Sequence, residues 1–328
     1  MKKVVILHQG IDRDDDPLVQ NAVYLRNNLI ETIGELGFDP KPVYLDDKYC
    51  WVDKITTICP YLVVNAADIG VGYDPTLESI VPEILDNSGI CYTGSNKTSL
   101  DLSNNKPMIK DLLASCNIPV PQEFSLDRNV EFPVIIKYAD SHNSEGIDSD
   151  SIAYDYDKLM EKIKKLICGK RLIIEEYIDD LHYSELSVGY IGNNSSRRVL
   201  PIALFDFSTE KSRVRSYDSK WSEDSQESVL FSSLPDQLQR DIESYTNVVA
   251  DIAGHRDYGR YDIRVKRNSD GYYIPYFIDI NGNPDLNKNA TLFKMAAQLG
   301  FNYRDFIGKI IESTVKRYEH ESLQYHAC

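Results

Sequence analysis

The sequence predicts a chain of α/β and α+β character, with a parallel sheet in its first part and largely antiparallel strands after it. Three observations carry this. Strand-like apolar runs at Val4–Leu7, Tyr61–Asn65 and Ile90–Tyr92 are separated by helical stretches, the alternation of a parallel sheet. The later runs Phe132–Lys137, Leu172–Tyr177, Ser184–Ile191 and Val199–Phe207 follow one another with few helices between them. Two further β-rich runs flank Asn268-Ser269-Asp270-Gly271, and an Asp-Gly pair in that setting is a strong hairpin signal.

At 328 residues the chain is too long for one small core and fits two or three compact subdomains, the usual build of a multi-domain enzyme. A formal net charge of −15 without any block of lysine and arginine repels phosphate backbones, so no nucleic-acid partner is expected. Only a short apolar run follows Met1-Lys2-Lys3, and no stretch approaches the ~18 apolar residues of a membrane span. The six cysteines are scattered, with no Cys-x-x-Cys pair and no matching histidine cluster. A reduced, cytoplasmic protein without structural zinc is the expectation.

Val4–Leu7 is expected as a buried strand, and Pro17 suits the first turn of a helix ending near Gly37. The loop between them, Asp12-Arg13-Asp14-Asp15-Asp16, carries four acids just past a strand end, where ligands of open α/β sheets usually bind. Asp14 and Asp15 are candidates for a substrate amine, although acidic runs also serve as solvated faces or helix N-terminal charges. A helix is expected over 76–87. Gly70-Val71-Gly72 lacks the third glycine of a dinucleotide fingerprint, and Gly94-Ser95-Asn96-Lys97-Thr98 lacks the leading glycine of a P-loop. Neither is a nucleotide site of those kinds.

A helix over Asn105–Cys116, stopped by Ile118-Pro119-Val120-Pro121, leads to the strand that ends in Lys137. That lysine either snorkels to water or stands as a fixed cation beside a phosphate. The loop Tyr138–Gly146 holds small and polar residues, Ser141, Ser144 and Gly146 among them, able to fold over phosphates. An amphipathic helix over 157–167 precedes the strand carrying Glu175 and Glu176. The polar stretch from Ser208 to Ser228, with Lys220 and Trp221, is long enough to be a lid. A helix over 234–253 comes before the hairpin and two helices after it, the last with Phe306, Ile307, Ile310, Ile311 and Val315 on one stripe. Tyr318–Cys328 reads as a polar tail.

If Asp270 and Gly271 are the central residues of the turn, Asp262 faces Asp279 and Arg260 faces Asn281. Strand alternation then puts these four on one face and Ile263, Val265, Ile278 and Ile280 on the other. Two opposed carboxylates repel unless a cation lies between them. The square therefore fits a divalent metal and a nucleotide, with Arg260 available for a phosphate or oxyanion. The other reading is a surface hairpin with solvated polar groups, and Pro275 could force a bulge that upsets the register.

The motifs Tyr92-Thr93-Gly94-Ser95, Phe132-Pro133-Val134-Ile135-Ile136-Lys137, Gly259-Arg260-Tyr261-Asp262 and Asp279-Ile280-Asn281 with Pro284 occur in one order. In them the chain resembles the ATP-grasp superfamily, and most closely its D-alanine:D-alanine ligase branch, over nearly its whole length. The resemblance implies an ATP-grasp fold with an N-terminal parallel-sheet, Rossmann-like domain. It divides the chain into a first domain at 1–95, a central ATP-binding subdomain at 96–184 and a C-terminal catalytic subdomain at 185–328. It implies ATP and Mg²⁺ as cofactors, two ions that Mn²⁺ can replace, with Asp262, Asp279 and Asn281 as the metal ligands. Lys106 and Lys137 would hold ATP phosphates, and Ser141, Ser144 and Gly146 would lie in the phosphate-covering loop. Glu175, Glu176, Tyr177 and Ile178 would form the adenine hinge, Glu185 would bond the ribose, and Lys220 would close on the γ-phosphate. Arg260 and Lys220 would then be the catalytic groups of a ligase that joins a small-molecule carboxylate to an amine through an acyl phosphate. A homodimer is usual among such ligases.

Three positions depart from that pattern. The family has glutamate where Asp279 stands, a glycine where Asp285 stands and a substrate-anchoring serine where Ala290 stands. A carboxylate at 285 and a methyl at 290 argue against D-alanine as acceptor and for an amino acid or small peptide of specialised metabolism. Asp285 either meets a substrate amine or caps the following helix, and Trp221 is a further substrate candidate. The alternatives are a nucleotide-binding protein that has lost ligation and a small-molecule kinase.

Overall fold

The computed structural model describes residues 1–11, 16–46, 49–68, 70–71, 74–126, 130–139, 147–166, 171–180, 183, 185–205 and 229–325. Strands β1 (Lys3–His8), β2 (Asp39–Tyr44) and β3 (Leu62–Ala66) make a three-stranded parallel sheet in the order β2-β1-β3. Helix α1 (Pro17–Glu35) starts at the expected proline, with the Asp16 carboxylate accepting from Leu18 N at 2.8 Å as its cap. Strand β2 was not expected, because Pro40 and Pro42 speak against a strand. They are tolerated because β2 lies on the sheet edge, where an N–H is not needed on both sides. Helix α2 (Cys50–Ile58), which buries Trp51 and Ile55, was also not foreseen. Ile90–Tyr92 gives a single parallel bridge, Val63 to Tyr92, in place of the expected third strand. The helix expected over 76–87 is divided into a 3-10 turn at Pro75–Leu77 and α3 (Ile80–Asn87).

Helices α4 (Lys97–Asn104) and α5 (Lys106–Ser115) follow, each capped by an asparagine, Asn96 and Asn105. They lead to a four-stranded antiparallel sheet in the order β4-β7-β5-β6, made of β4 (Glu123–Phe124), β5 (Val134–Tyr138), β6 (Ile152–Ala153) and β7 (Leu172–Glu176). Helix α6 (Tyr156–Leu166) packs Leu159 and Ile163 against Val134 and Ile136.

The third sheet is antiparallel and runs β11-β10-β8-β12-β13, with β9 also on β8. Its members are β8 (Glu185–Ile191), β9 (Arg198–Val199), β10 (Ala203–Phe205), β11 (Val229–Leu230), β12 (Tyr258–Arg267) and β13 (Tyr273–Asn281). The single strand expected over 199–207 is thus two short ones, separated by a stretch that includes Pro201. Helix α7 (Asp236–Ala253) covers the sheet, burying Leu238, Ile242 and Val249 against Tyr261, Ile263 and Phe277.

The chain closes with α8 (Thr291–Ala297) and α9 (Tyr303–Tyr325). The expected stripe is real, but it buries Phe306, Ile307, Ile310 and Ile311 against Val4 and Ile6 of β1 and Leu29 of α1. The end of the sequence therefore completes the core of its beginning. The expected polar tail is helical as far as Tyr325. Just ahead of it Arg317 donates to Tyr92 O and to Asp257 Oδ2, both at 2.8 Å, and at its start the Tyr318 hydroxyl accepts from Tyr92 N at 3.3 Å. These polar anchors gave no apolar period to read. Among the described residues no helix is long and apolar enough to cross a membrane, and Cys50, Cys59, Cys91 and Cys116 are free thiols.

Candidate active site

Strands β12 and β13 pair Asp262 with Asp279 and Arg260 with Asn281, the expected partners, by a different route from the expected one. The turn is wider than a two-residue loop: Arg267 pairs with Tyr273, and Asn268 organises the residues between them. Its backbone N–H donates to Tyr272 O at 2.9 Å, and its side-chain oxygen accepts from Asp270 N at 3.1 Å and Tyr272 N at 2.8 Å. That alone would leave the far pairs one residue out of step. A bulge between the Asp262 and Ile263 pairs restores them. It also moves Ile278 off the core face, where Phe277 is fully buried in its place.

Gly259 opens this stretch for a steric reason. It pairs directly with Tyr190 on β8, and a Cβ there would stand 2.7 Å from the Tyr190 ring. Next to it, Arg260 Nε lies 3.3 Å from Asp262 Oδ1, and the Ser187 hydroxyl donates to the same oxygen at 2.6 Å. Asp262 is buried and held from two sides, whereas the Asp279 side chain is 43% exposed with Lys106 Nζ at 3.8 Å. Asn281 Oδ1 accepts from Asn283 N at 2.8 Å, which fixes its amide. Two carboxylates and an amide oxygen on one sheet face form a hard-oxygen set, the chemistry that suits Mg²⁺ or Mn²⁺. Among the described residues there is no group of three or more His, Cys, Asp and Glu that would make a separate metal centre.

Lys106 and Lys137 are both buried near this face. Glu175 is 1% exposed and faces lysines, with Lys137 Nζ at 2.7 Å and Lys110 Nζ on its other oxygen. Burial alone would raise its pKa, but the two lysines more than offset this and hold the carboxyl at about 2. Lys110 was missed from the sequence, although it follows Lys106 by one helical turn and so shares its face. Burial pulls its pKa down to about 7, with Lys137 adding to the fall and Glu175 opposing it.

The other residues expected at the adenine hinge form a second charged cluster. Arg264 donates to Ile178 O at 3.0 Å and to Glu185 Oε2 at 3.2 Å, and its guanidinium stacks over the Tyr177 ring at 5.0 Å. Glu185 is thus paired with an arginine directly across the β8–β12 ladder, and Glu176 pairs with Lys266. Asp14, Asp15, Ser141, Ser144, Gly146, Lys220 and Trp221 lie outside the described residues.

Asp285 does not cap the following helix. The N-cap of α8 is Ala290, which makes no side-chain capping bond. Asp285 instead accepts from Asn287 N at 2.9 Å and from Asn21 Nδ2 of α1 at 3.1 Å. Burial raises its pKa above the ordinary aspartate value. Asp68, after β3, is raised well above that value by burial, then by Asp285 and Glu78, with Arg260 opposing. Glu78 accepts from Asn283 Nδ2 at 3.0 Å, and burial pushes it up to about 7. Neither Asp68 nor Glu78 carried a sequence signal, since only the fold brings them beside the end of β13.

A family model described as D-ala D-ala ligase C-terminus matches residues 119–312, more than half of the chain. The chain belongs to the D-alanine–D-alanine ligase family. As a family member it is an ATP-dependent ligase that forms C–N bonds, built on the ATP-grasp fold with a three-stranded parallel sheet at its N-terminus. It is 24% identical over 289 residues to a D-alanine–D-alanine ligase of Fusobacterium nucleatum, covering 87% of this chain and 91% of the relative. An uncharacterised protein y4sG of Sinorhizobium fredii is 26% identical over 250 residues, or 73% and 70% of the two chains. Among solved structures, the family's D-alanine–D-alanine ligase from Bacillus anthracis complexed with ATP superposes with a TM-score of 0.74 at 19% identity, covering 98% of this chain and all of the other. The VanG D-Ala:D-Ser ligase from Enterococcus faecalis gives 0.71 at 16%, covering 95% and 99%.

Proposed function

We propose that this ligase phosphorylates a small-molecule carboxylate with ATP and transfers the acyl group to an amino acid or small peptide other than D-alanine, in specialised metabolism. In the first step a carboxylate oxygen attacks the γ-phosphorus and ADP leaves. In the second an amine attacks the acyl carbon, phosphate leaves and the nitrogen loses a proton. Lys106 and Lys137 suit the nucleotide phosphates, and Arg260 suits the oxyanion of the tetrahedral intermediate. Asp262, Asp279 and Asn281 would hold Mg²⁺, which when bound neutralises charge on the phosphates. Lys220 belongs to this reading as the loop cation, and Ser141, Ser144 and Gly146 as part of the phosphate cover.

The observation that carries the acceptor assignment is Asp285. Its carboxylate is tied to Asn21 and Asn287 and leaves the next helix uncapped, so a capping role does not account for it. With Asp68 close by, it puts two carboxyl groups beside Arg260 where the family pattern has a glycine, so the bulk and polarity of this ground differ from those of a pocket that fits D-alanine.

A screen of amino-acid and peptide pairs, read by ADP release and product mass, tests this. An amide product with the D-alanine pair inactive is expected. D-alanyl-D-alanine as the preferred product defeats the acceptor assignment. A phosphorylated product without amide would make the protein a kinase, and Mg-ATP binding without turnover would make it a nucleotide-binding protein that has lost ligation.

A further inference from the structure

Lys110 is a buried charge for which the ligation steps have no use. On α5 it stands one turn beyond Lys106, a spacing at which like charges weaken a helix unless something compensates them. Compensation comes from two different sheets. Lys106 Nζ lies 3.8 Å from Asp279 on β13, and Lys110 Nζ bonds Glu175 Oε1 on β7. Glu175 Oε2 is in turn 2.7 Å from Lys137 Nζ on β5. Because Lys137 pairs with Ile173 and Ile135 with Glu175, Lys137 and Glu175 are diagonal neighbours on one face of that sheet.

Lys110, Lys137 and Glu175 are 7%, 6% and 1% exposed. Burying a pair of opposite charges costs about as much as it returns, and burying two cations on one carboxylate leaves a net positive charge out of water. Glu123, opposite Glu175 on β4, is solvent-exposed and its charge is screened. Such a cluster is a poor stabiliser of the fold but well suited to receive a polyanion. Without Lys110, both oxygens of Glu175 would be open to Lys137 and would neutralise it.

We propose that Lys110 and Glu175 are positioning residues for Lys137: Lys110 occupies one oxygen of Glu175, so Lys137 is held in place by the other and still meets the nucleotide phosphates as a net cation. The inference rests on Lys137 being a phosphate ligand. It also moves Glu175 from the adenine hinge to the counter-ion of the phosphate lysines.

The test is calorimetric binding of magnesium adenylyl imidodiphosphate to the full chain, below neutral pH so that Lys110 is charged. Lys110→Met should weaken binding on the order of ten-fold, because Glu175 then cancels Lys137. The double variant Lys110→Met/Glu175→Gln has the wild-type net charge and should recover most of that loss. Unchanged binding by Lys110→Met overturns the proposal. So does a double variant weaker than Lys110→Met, which is what lost packing alone would give. Thermal melts accompany each variant, and if Lys110→Met does not fold, Lys110→Gln replaces it: it keeps a hydrogen bond to Glu175 but not the net positive charge of the cluster, so binding should again weaken and unchanged binding again overturns the proposal. Lys137→Met is measured alongside: wild-type affinity there removes the phosphate reading itself, whereas a loss there with Lys110 variants unaffected removes only the positioning role.

Discussion

Asp262 and Asp279 face one another across a ladder, yet their surroundings differ. Asp262 is buried between Arg260 and Ser187, while Asp279 stands half in water near Lys106. Asp262→Asn or Asp279→Asn should leave the melting temperature within a few degrees of wild type and reduce turnover by at least about a hundred-fold, since preorganised charge is usually the largest catalytic contribution. Rates of ADP release near wild type in either variant would remove the hairpin from the active site. Asp285→Gly belongs at the same scale. Removing this carboxylate from beside Asp68 and Arg260 should shift acceptor choice toward D-alanine in a mixed-acceptor competition read by product mass. No change in product ratio means that residue 285 does not select the acceptor.

The hairpin shows what an element adds to its residues. Gly271 sits at φ +85°, a conformation that costs other residues energy. Gly271→Ala should destabilise the fold by roughly 1 kcal/mol in urea denaturation, without changing nucleotide affinity, because the turn is at the far end from the carboxylates. The four polar partners of this hairpin were read correctly from the sequence, but by way of a two-residue turn that does not form: the wider turn and the bulge offset each other by one residue. The bulge was not legible, as nothing in Tyr276-Phe277-Ile278 says which residue is extra. Nor was β2, whose prolines are compatible with a strand only at a sheet edge, a position that the sequence does not reveal. Lys137 closes one of the quoted motifs and Lys106 was expected from the resemblance, and both lie buried near the hairpin's polar face. Lys110, Arg264, Asp68 and Glu78 could not be placed in this way, since each acquires its role from contacts distant in sequence, such as Lys110 with Glu175.

At the scale of the molecule, buried polar joints tie the parts together. Asp257 is fully buried and accepts from Gly94 N at 3.0 Å, Asn193 Nδ2 at 2.7 Å, Thr314 Oγ1 at 2.8 Å and Arg317 Nη2 at 2.8 Å. It thus links the stretch after Tyr92, the loop that follows β8 and the last helix. Arg317→Ala leaves that carboxylate without its cation and should cost about 3 to 5 kcal/mol in chemical denaturation. His255 supplies a pH signature. Burial holds its pKa at about 3 from an ordinary 6.5, between Ser103 and Tyr261. Below 6.5 the unfolded chain takes up a proton that the folded chain refuses. This contribution is therefore complete above pH 6.5 and is lost as pH falls toward 3. The stability difference between wild type and His255→Gln should shift across that window by roughly 3 to 5 kcal/mol. A difference independent of pH would show that His255 takes up its proton in the fold as readily as in the unfolded chain.

The position of β13 at the rim of its sheet has a consequence for the protein in concentrated solution. An open rim is where a second chain adds itself as an extra strand, and proteins that leave it uncovered tend to associate. Here the outward side is closed. Phe277 N donates to Pro119 O at 2.9 Å, and Pro275, two residues before it on the same side, has no N–H to offer. The linker that stops the lysine helix thus covers the middle of the strand that bears Asp279 and Asn281, leaving another copy of the chain no continuous rim there to pair with.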